Sequence, residues 1–199
     1  MIDLARALRD GLLQRHDVAY DWHITQALTQ YPEQILRTQP HPYANTVIWN
    51  IWHAVRVEDI GISRFVADTP QLHARDGWAA RLGTHVRHNG SGMPLAEVVT
   101  LSAQIDIDAM RAYAAAVRAQ TRALITALPA VALDHTWSDH HIAHVLDTEG
   151  VAHHDAAALV AWYQPWNRAR WLLSSAGTHL YEHIGAFQTL AGLHGWVDA

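Results

Sequence analysis

The chain has 199 residues, 50% of them hydrophobic and 17% charged, which is enough for one domain with a real core and tight for two. The formal charge of −5 is interspersed, and no apolar run approaches the ~20 residues of a membrane-spanning helix, so neither nucleic-acid binding nor membrane insertion is expected. The absence of cysteine excludes disulfides, thiolate metal sites and cysteine nucleophiles, and it leaves the 16 histidines and the carboxylates as the strong ligands for a transition metal.

The N-terminal Met1-Ile2-Asp3-Leu4-Ala5-Arg6 lacks the basic, apolar and small-residue regions of a signal peptide, so a cytoplasmic location is expected. A first helix is predicted over residues 3–29, with Leu4, Leu8, Leu12, Ala19 and Trp22 returning on one buried face. Pro32, Pro40 and Pro42 then break the chain. A second helix, capped by Asn45, is predicted over 45–65, and Trp49, His53, Val57 and Ile60 follow one stripe of it.

Residues 68–93 read mainly as loop, punctuated by Pro70, Gly77, Gly83 and Asn89-Gly90-Ser91-Gly92. A third helix is predicted from Pro94 to about Leu128, with a stripe through Leu101, Ile105, Met110, Tyr113, Val117, Thr121 and Leu124. Residues 129–150 are ambiguous, with a helical turn at 139–145, and a helical piece follows at 154–163. The last long helix is predicted over 166–193, ending at Gly195, with Leu172, Ala176, His179, His183, Phe187 and Leu190 on one face. Four long amphipathic helices, no period-two alternation and no repeat imply an all-α four-helix bundle with long connections. We read it as a single domain over 1–199, with its site on core-facing side chains.

His179 and His183 stand at i and i+4, one turn apart on the apolar face of the last helix. His53 has the same inward position on the second. Three neutral imidazoles from two packed helices make a three-histidine site with an open coordination position. A lone histidine on an apolar face is ordinarily a core residue bonded to a carbonyl or hydroxyl, and spacing alone leaves that reading open for all three. Other histidines compete. His140 and His144 also stand at i and i+4, with His141 and Asp139, in a polar stretch that reads as solvated. His85 and His88 sit beside the glycine-rich loop, and His153-His154 reads as a helix cap.

The segment PYANTVIWNIWHAVRVED at 42–59 resembles the second helix of the DinB-like superfamily. Gly177-Thr178-His179-Leu180-Tyr181-Glu182-His183-Ile184-Gly185, with Leu190-Ala191-Gly192-Leu193 after it, resembles the fourth. The shared pattern is an asparagine-led helix with one histidine, then a histidine pair followed by glycine. The resemblance implies an up-down-down-up bundle with one or two short extra helices, often a homodimer, holding one zinc, nickel or iron-like ion on His53, His179 and His183. Its relatives include transferases using the low-molecular-weight thiols bacillithiol and mycothiol, and a mycothiol-dependent maleylpyruvate isomerase.

By that likeness, a metal-dependent transfer of thiol sulfur to a small electrophile is expected, or a related hydrolysis or isomerisation. The alternative is a non-catalytic stress-response or binding module in which the metal supports the bundle. A third reading has no metal and an interaction surface on a helical face. Glu58 and Glu182 are candidates to orient a ligand ring or act as a base, with a solvated carboxylate as the plainer reading of both. Arg56 is a candidate to meet an anionic substrate or to form a surface ion pair, and Trp49 and Trp52 to line a pocket or fill the core.

Overall fold

In the computed structural model, residues 4–153, 159–163 and 165–196 are described, so the predicted helix start at Asp3 and residues 154–158 of the predicted 154–163 piece, His154 included, lie outside them. Helix α1 runs as Leu4–Val18, passes through a π-helical stretch, Ala19–Ile24, and resumes as Thr25–Gln30. The π stretch takes up more residues per turn and so rotates the buried face. Tyr20 and Ile24 point inward beside Ala19, whereas Trp22 and Leu8 of the predicted stripe are 65% and 66% exposed.

Helix α2 comprises Val47–Ile60 and a π-helical continuation, Gly61–Ala67. Its cap is Thr46 and not Asn45: the Thr46 hydroxyl accepts the Trp49 N–H at 3.1 Å. Apart from Val57, every residue of Val47–Ile60 is buried, which makes α2 the central helix. Three of those buried residues are charged, so each needs partners from elsewhere in the chain.

Asp59 has them. Its carboxylate accepts the backbone N–H groups of Leu72 and His73 at 3.0 and 2.9 Å, and the Tyr113 and Ser63 hydroxyls at 2.7 and 2.9 Å. Leu72–Arg75 is thereby held as a short helix, and Trp78–Arg81 forms another, within the stretch predicted as loop. The predicted third helix is broken into Leu95–Gln104 and α3, Ile107–Ala127. At the break Ile105 is buried, the Asp106 N–H turns to the Leu82 carbonyl at 3.0 Å, and the Asp106 carboxylate caps α3 by accepting the Ala109 N–H at 2.8 Å.

Beyond α3 come a 3₁₀ turn, Ala130–Asp134, a short helix, Asp139–Ala143, with a π-helical tail, His144–Thr148, and a further piece, Leu159–Tyr163. Helix α4 starts at Arg168, capped by Asn167, and runs as Arg168–Leu173, a π-helical Ser174–Thr178 and His179–Leu193. Where the π stretches of α2 and α4 meet, Gly61 faces Ser175 so closely that a β-carbon at 61 would overlap the Ser175 side chain.

The described residues contain no strand, only an isolated bridge between Thr136 and Asn167. One buried apolar cluster joins α1, the front of α2, α3 and the end of α4 through Ile48, Trp52, Tyr113 and Phe187; a second gathers Phe65, Ile142, Val145 and Trp171. The His179–Leu193 segment packs most extensively on Val47–Ile60, and the predicted ligands lie at that seam. No helix among the described residues is long and apolar enough to cross a membrane.

Candidate metal centre

The seam brings His53 of α2 against His179 and His183 of α4. Ring centroids are 4.5 Å apart for His53–His183 and for His179–His183, and 5.0 Å for His53–His179. One nitrogen of each lies within 4.8 Å of one nitrogen of the others. Two of the rings are oriented from behind. His53 Nδ1–H donates to the Asn89 carbonyl at 2.5 Å, and His183 Nδ1–H donates to Asn50 Oδ1 at 2.9 Å. The Asn50 amide is itself oriented, because its Nδ2 donates to the Thr46 carbonyl at 2.8 Å. A proton on Nδ1 leaves the Nε2 lone pair of both rings free to bind an ion. Trp49 stacks flat on His53, centroids 4.8 Å apart, and so holds the ring plane.

Burial keeps all three rings neutral. It pushes the His53 pKa well below the usual value, reinforced by the neighbouring His183 and His179. Burial lowers His179 to about 3, with His183 beside it adding to the effect, and lowers His183 to about 4. The buried Nδ1 of His179 has no hydrogen-bond partner among the described residues. Neutral imidazoles with free lone pairs, one carrying an orphaned buried nitrogen, fit a divalent cation. Among the described residues no fourth histidine or carboxylate joins the group, which leaves room for a further ligand.

His179 also forms part of the wall of a cavity of about 510 Å³, together with Val57, Glu182 and an aromatic lining that includes Trp162, Trp166 and Trp171. The Arg170 guanidinium lies 4.5 Å over the Trp166 ring at the same cavity.

The structure separates the other candidates. Glu182 is exposed and lines the cavity beside His179. Glu58 is not a solvated carboxylate but fully buried, accepting His16 Nε2–H at 2.8 Å, the Tyr20 hydroxyl at 2.9 Å and the Thr121 hydroxyl at 2.6 Å. Arg56 is equally buried and makes no surface ion pair. Its guanidinium contacts Asp59 at 3.3 Å and donates to the Tyr113 hydroxyl at 3.1 Å, and to Gln71 Oε1 and the Arg87 carbonyl at 2.9 Å each. It therefore steadies the loop that carries Asn89. Trp52 is core.

Sequence reasoning missed Asn50 and Asn89. Asn50, a polar residue one turn before His53 among apolar neighbours, carried a usable signal. Asn89 acts through its backbone, which any residue supplies, and carried none. The family model of the DinB superfamily matches residues 20–187. A crystal structure of a conserved protein from Enterococcus faecalis is similar in fold, with a TM-score of 0.66 at 17% identity over 97% of this chain and 98% of that one. No curated protein matches the chain. With the family match spanning most of its length, the chain belongs to the DinB superfamily.

Proposed function

We propose that this chain holds one divalent ion (zinc, nickel or iron) on His53, His179 and His183, and transfers a low-molecular-weight thiol to a small electrophile in the adjoining cavity. The observation that carries the reading is the double position of His179, within the histidine group and in the cavity wall. A bound divalent ion supplies a Lewis acid that lowers the pKa of a thiol or polarises an electrophile at its open position.

The chain's own groups do the rest. Asn89 and Asn50 hold the His53 and His183 rings, so the lone pairs converge without reorganisation. Trp162, Trp166 and Trp171 give the electrophile an apolar wall, and Arg170 offers a cation to an anionic group on it. Glu182 lines the same cavity and is the carboxylate we assign to take the thiol proton, while the sulfur forms its bond to carbon and the leaving group departs with its electron pair. The thiol must come from outside, since the chain has no cysteine. A single domain and a homodimer belong to the same proposal, and light scattering on the purified chain reads the second.

Elemental analysis of tag-free protein beside the His179→Ala variant tests the reading. One equivalent of metal in the parent and little in the variant supports it and opens a screen of thiols against electrophiles. A parent that takes up no ion from nickel, zinc or iron salts refutes it. Full loading with no turnover of any thiol would instead leave the non-catalytic module, with the metal as structural support.

A further inference from the structure

We infer a second divalent-cation site, on His88, Glu97 and His153, outside the three-histidine group. These residues come from three separate segments: the loop before Leu95–Gln104, the first turn of that helix, and the stretch that follows the π-helical His144–Thr148. One donor atom of each lies within 4.8 Å of the other two. The His88 and His153 rings meet edge to face with centroids 4.9 Å apart, and His153 Nε2 lies 3.5 Å from Glu97 Oε2. That last separation is long for a strong hydrogen bond, yet suits two ligands sharing one ion. His153 is 3% exposed and Glu97 half exposed, so the ion would sit in a shallow, wet position with its remaining places open to water.

Two imidazoles and one carboxylate form a donor set for zinc and its first-row neighbours rather than for calcium or magnesium, which take oxygen ligands. Coordination has a local cost. The Gly90 N–H donates to His88 Nδ1 at 3.1 Å, and use of either ring nitrogen as a ligand gives up that part-buried bond. A bond of that kind is a small loss against the affinity of three converging ligands.

The site has a structural consequence. Asn89 follows His88 directly; its N–H donates to the Val151 carbonyl at 2.9 Å, and its carbonyl accepts His53 Nδ1–H at 2.5 Å. An ion shared by His88, His153 and Glu97 therefore clamps the same two strands of chain that this Asn89–Val151 bond joins. It thereby steadies the carbonyl that orients His53.

The test is metal stoichiometry, read by elemental analysis after dialysis of the tag-free chain against a micromolar zinc buffer. Two equivalents are expected in the parent, and one each in His88→Ala, in Glu97→Gln and in His179→Ala. Glu97 is a half-exposed surface residue, so Glu97→Gln keeps the fold and covers the case in which His88→Ala does not. A parent with one equivalent that His179→Ala abolishes overturns the second site and leaves the first standing. Two equivalents retained in both His88→Ala and Glu97→Gln also overturn it, the extra ion then lying on other histidines. One equivalent that survives His179→Ala and is lost in Glu97→Gln supports the second site and removes the first.

Discussion

Asn50→Ala isolates the orientation of one imidazole from its presence. Asn50 Oδ1 is the acceptor for His183 Nδ1–H at 2.9 Å, and the Asn50 amide is itself pinned by its bond to the Thr46 carbonyl at 2.8 Å. Truncation leaves the His183 proton free to move to Nε2, the nitrogen meant for the ion. Loss of such a partner lowers metal affinity by about 10–100-fold, or roughly 1.4–2.7 kcal/mol. The apo protein loses less, about 1 kcal/mol for the Thr46 bond, because His183 is only half-buried and water can reach its ring. Competition of parent and variant against a chromophoric zinc chelator reads the affinity, and thermal melting of the apo forms reads the stability. An Asn50→Asp variant keeps an acceptor toward His183 and is expected to hold the ion better than Asn50→Ala, although its second oxygen opposes the Thr46 carbonyl. Equal zinc affinity in the parent and in Asn50→Ala would refute the reasoning, since the bond would then orient nothing.

Three further outcomes are expected. Gly61→Ala forces a β-carbon into Ser175 and should cost about 1–3 kcal/mol, and the double variant Gly61→Ala with Ser175→Gly should recover part of it. A double variant that melts no higher than Gly61→Ala would sink the close-approach argument. Glu58→Ala strips the acceptor from His16, Tyr20 and Thr121, three buried donors, at a cost of at least about 3 kcal/mol and a fall of roughly 10 °C in melting temperature. Metal content of the variant that does fold should be unchanged, as none of those partners belongs to the histidine group.

Stability should also fall in acid through His73, which burial, aided by the Arg56 and Arg87 charges, lowers to about 3. Its unfolded value is about 6.5, so between the two the unfolded chain binds one more proton than the folded one. The native state therefore loses about 1.4 kcal/mol per pH unit below about pH 6.5, with nothing lost above it. Denaturant titrations of the parent and His73→Leu across that range check this, and parallel pH dependences would contradict it.

Much of this protein was legible in its sequence because helical periodicity is local. The stripe through Trp49 and His53, and the i, i+4 spacing of His179 and His183, depend only on residues a turn or two apart. Those steps determined that three imidazoles face inward from two helices. The places where the sequence reading failed are those where a distant partner prevails over local preference. Trp22 turns outward because a π stretch in α1 puts Tyr20, not Trp22, against Glu58. The predicted third helix breaks because Asp106 finds the Leu82 carbonyl and caps α3.

Arg56 and Glu58 look like surface charges in a string of letters. They are buried because groups from α1, α3 and the 71–87 connection pair with them. The same holds at the site: His53 meets Asn89 across 36 positions, and His183 meets Asn50 across 133. A periodic pattern specifies which face of a helix is buried, since that follows from the backbone's own repeat. Only the packed chain decides which group waits there to hold a ring, fill a charge or open a cavity, since that depends on which distant segments pack against the face.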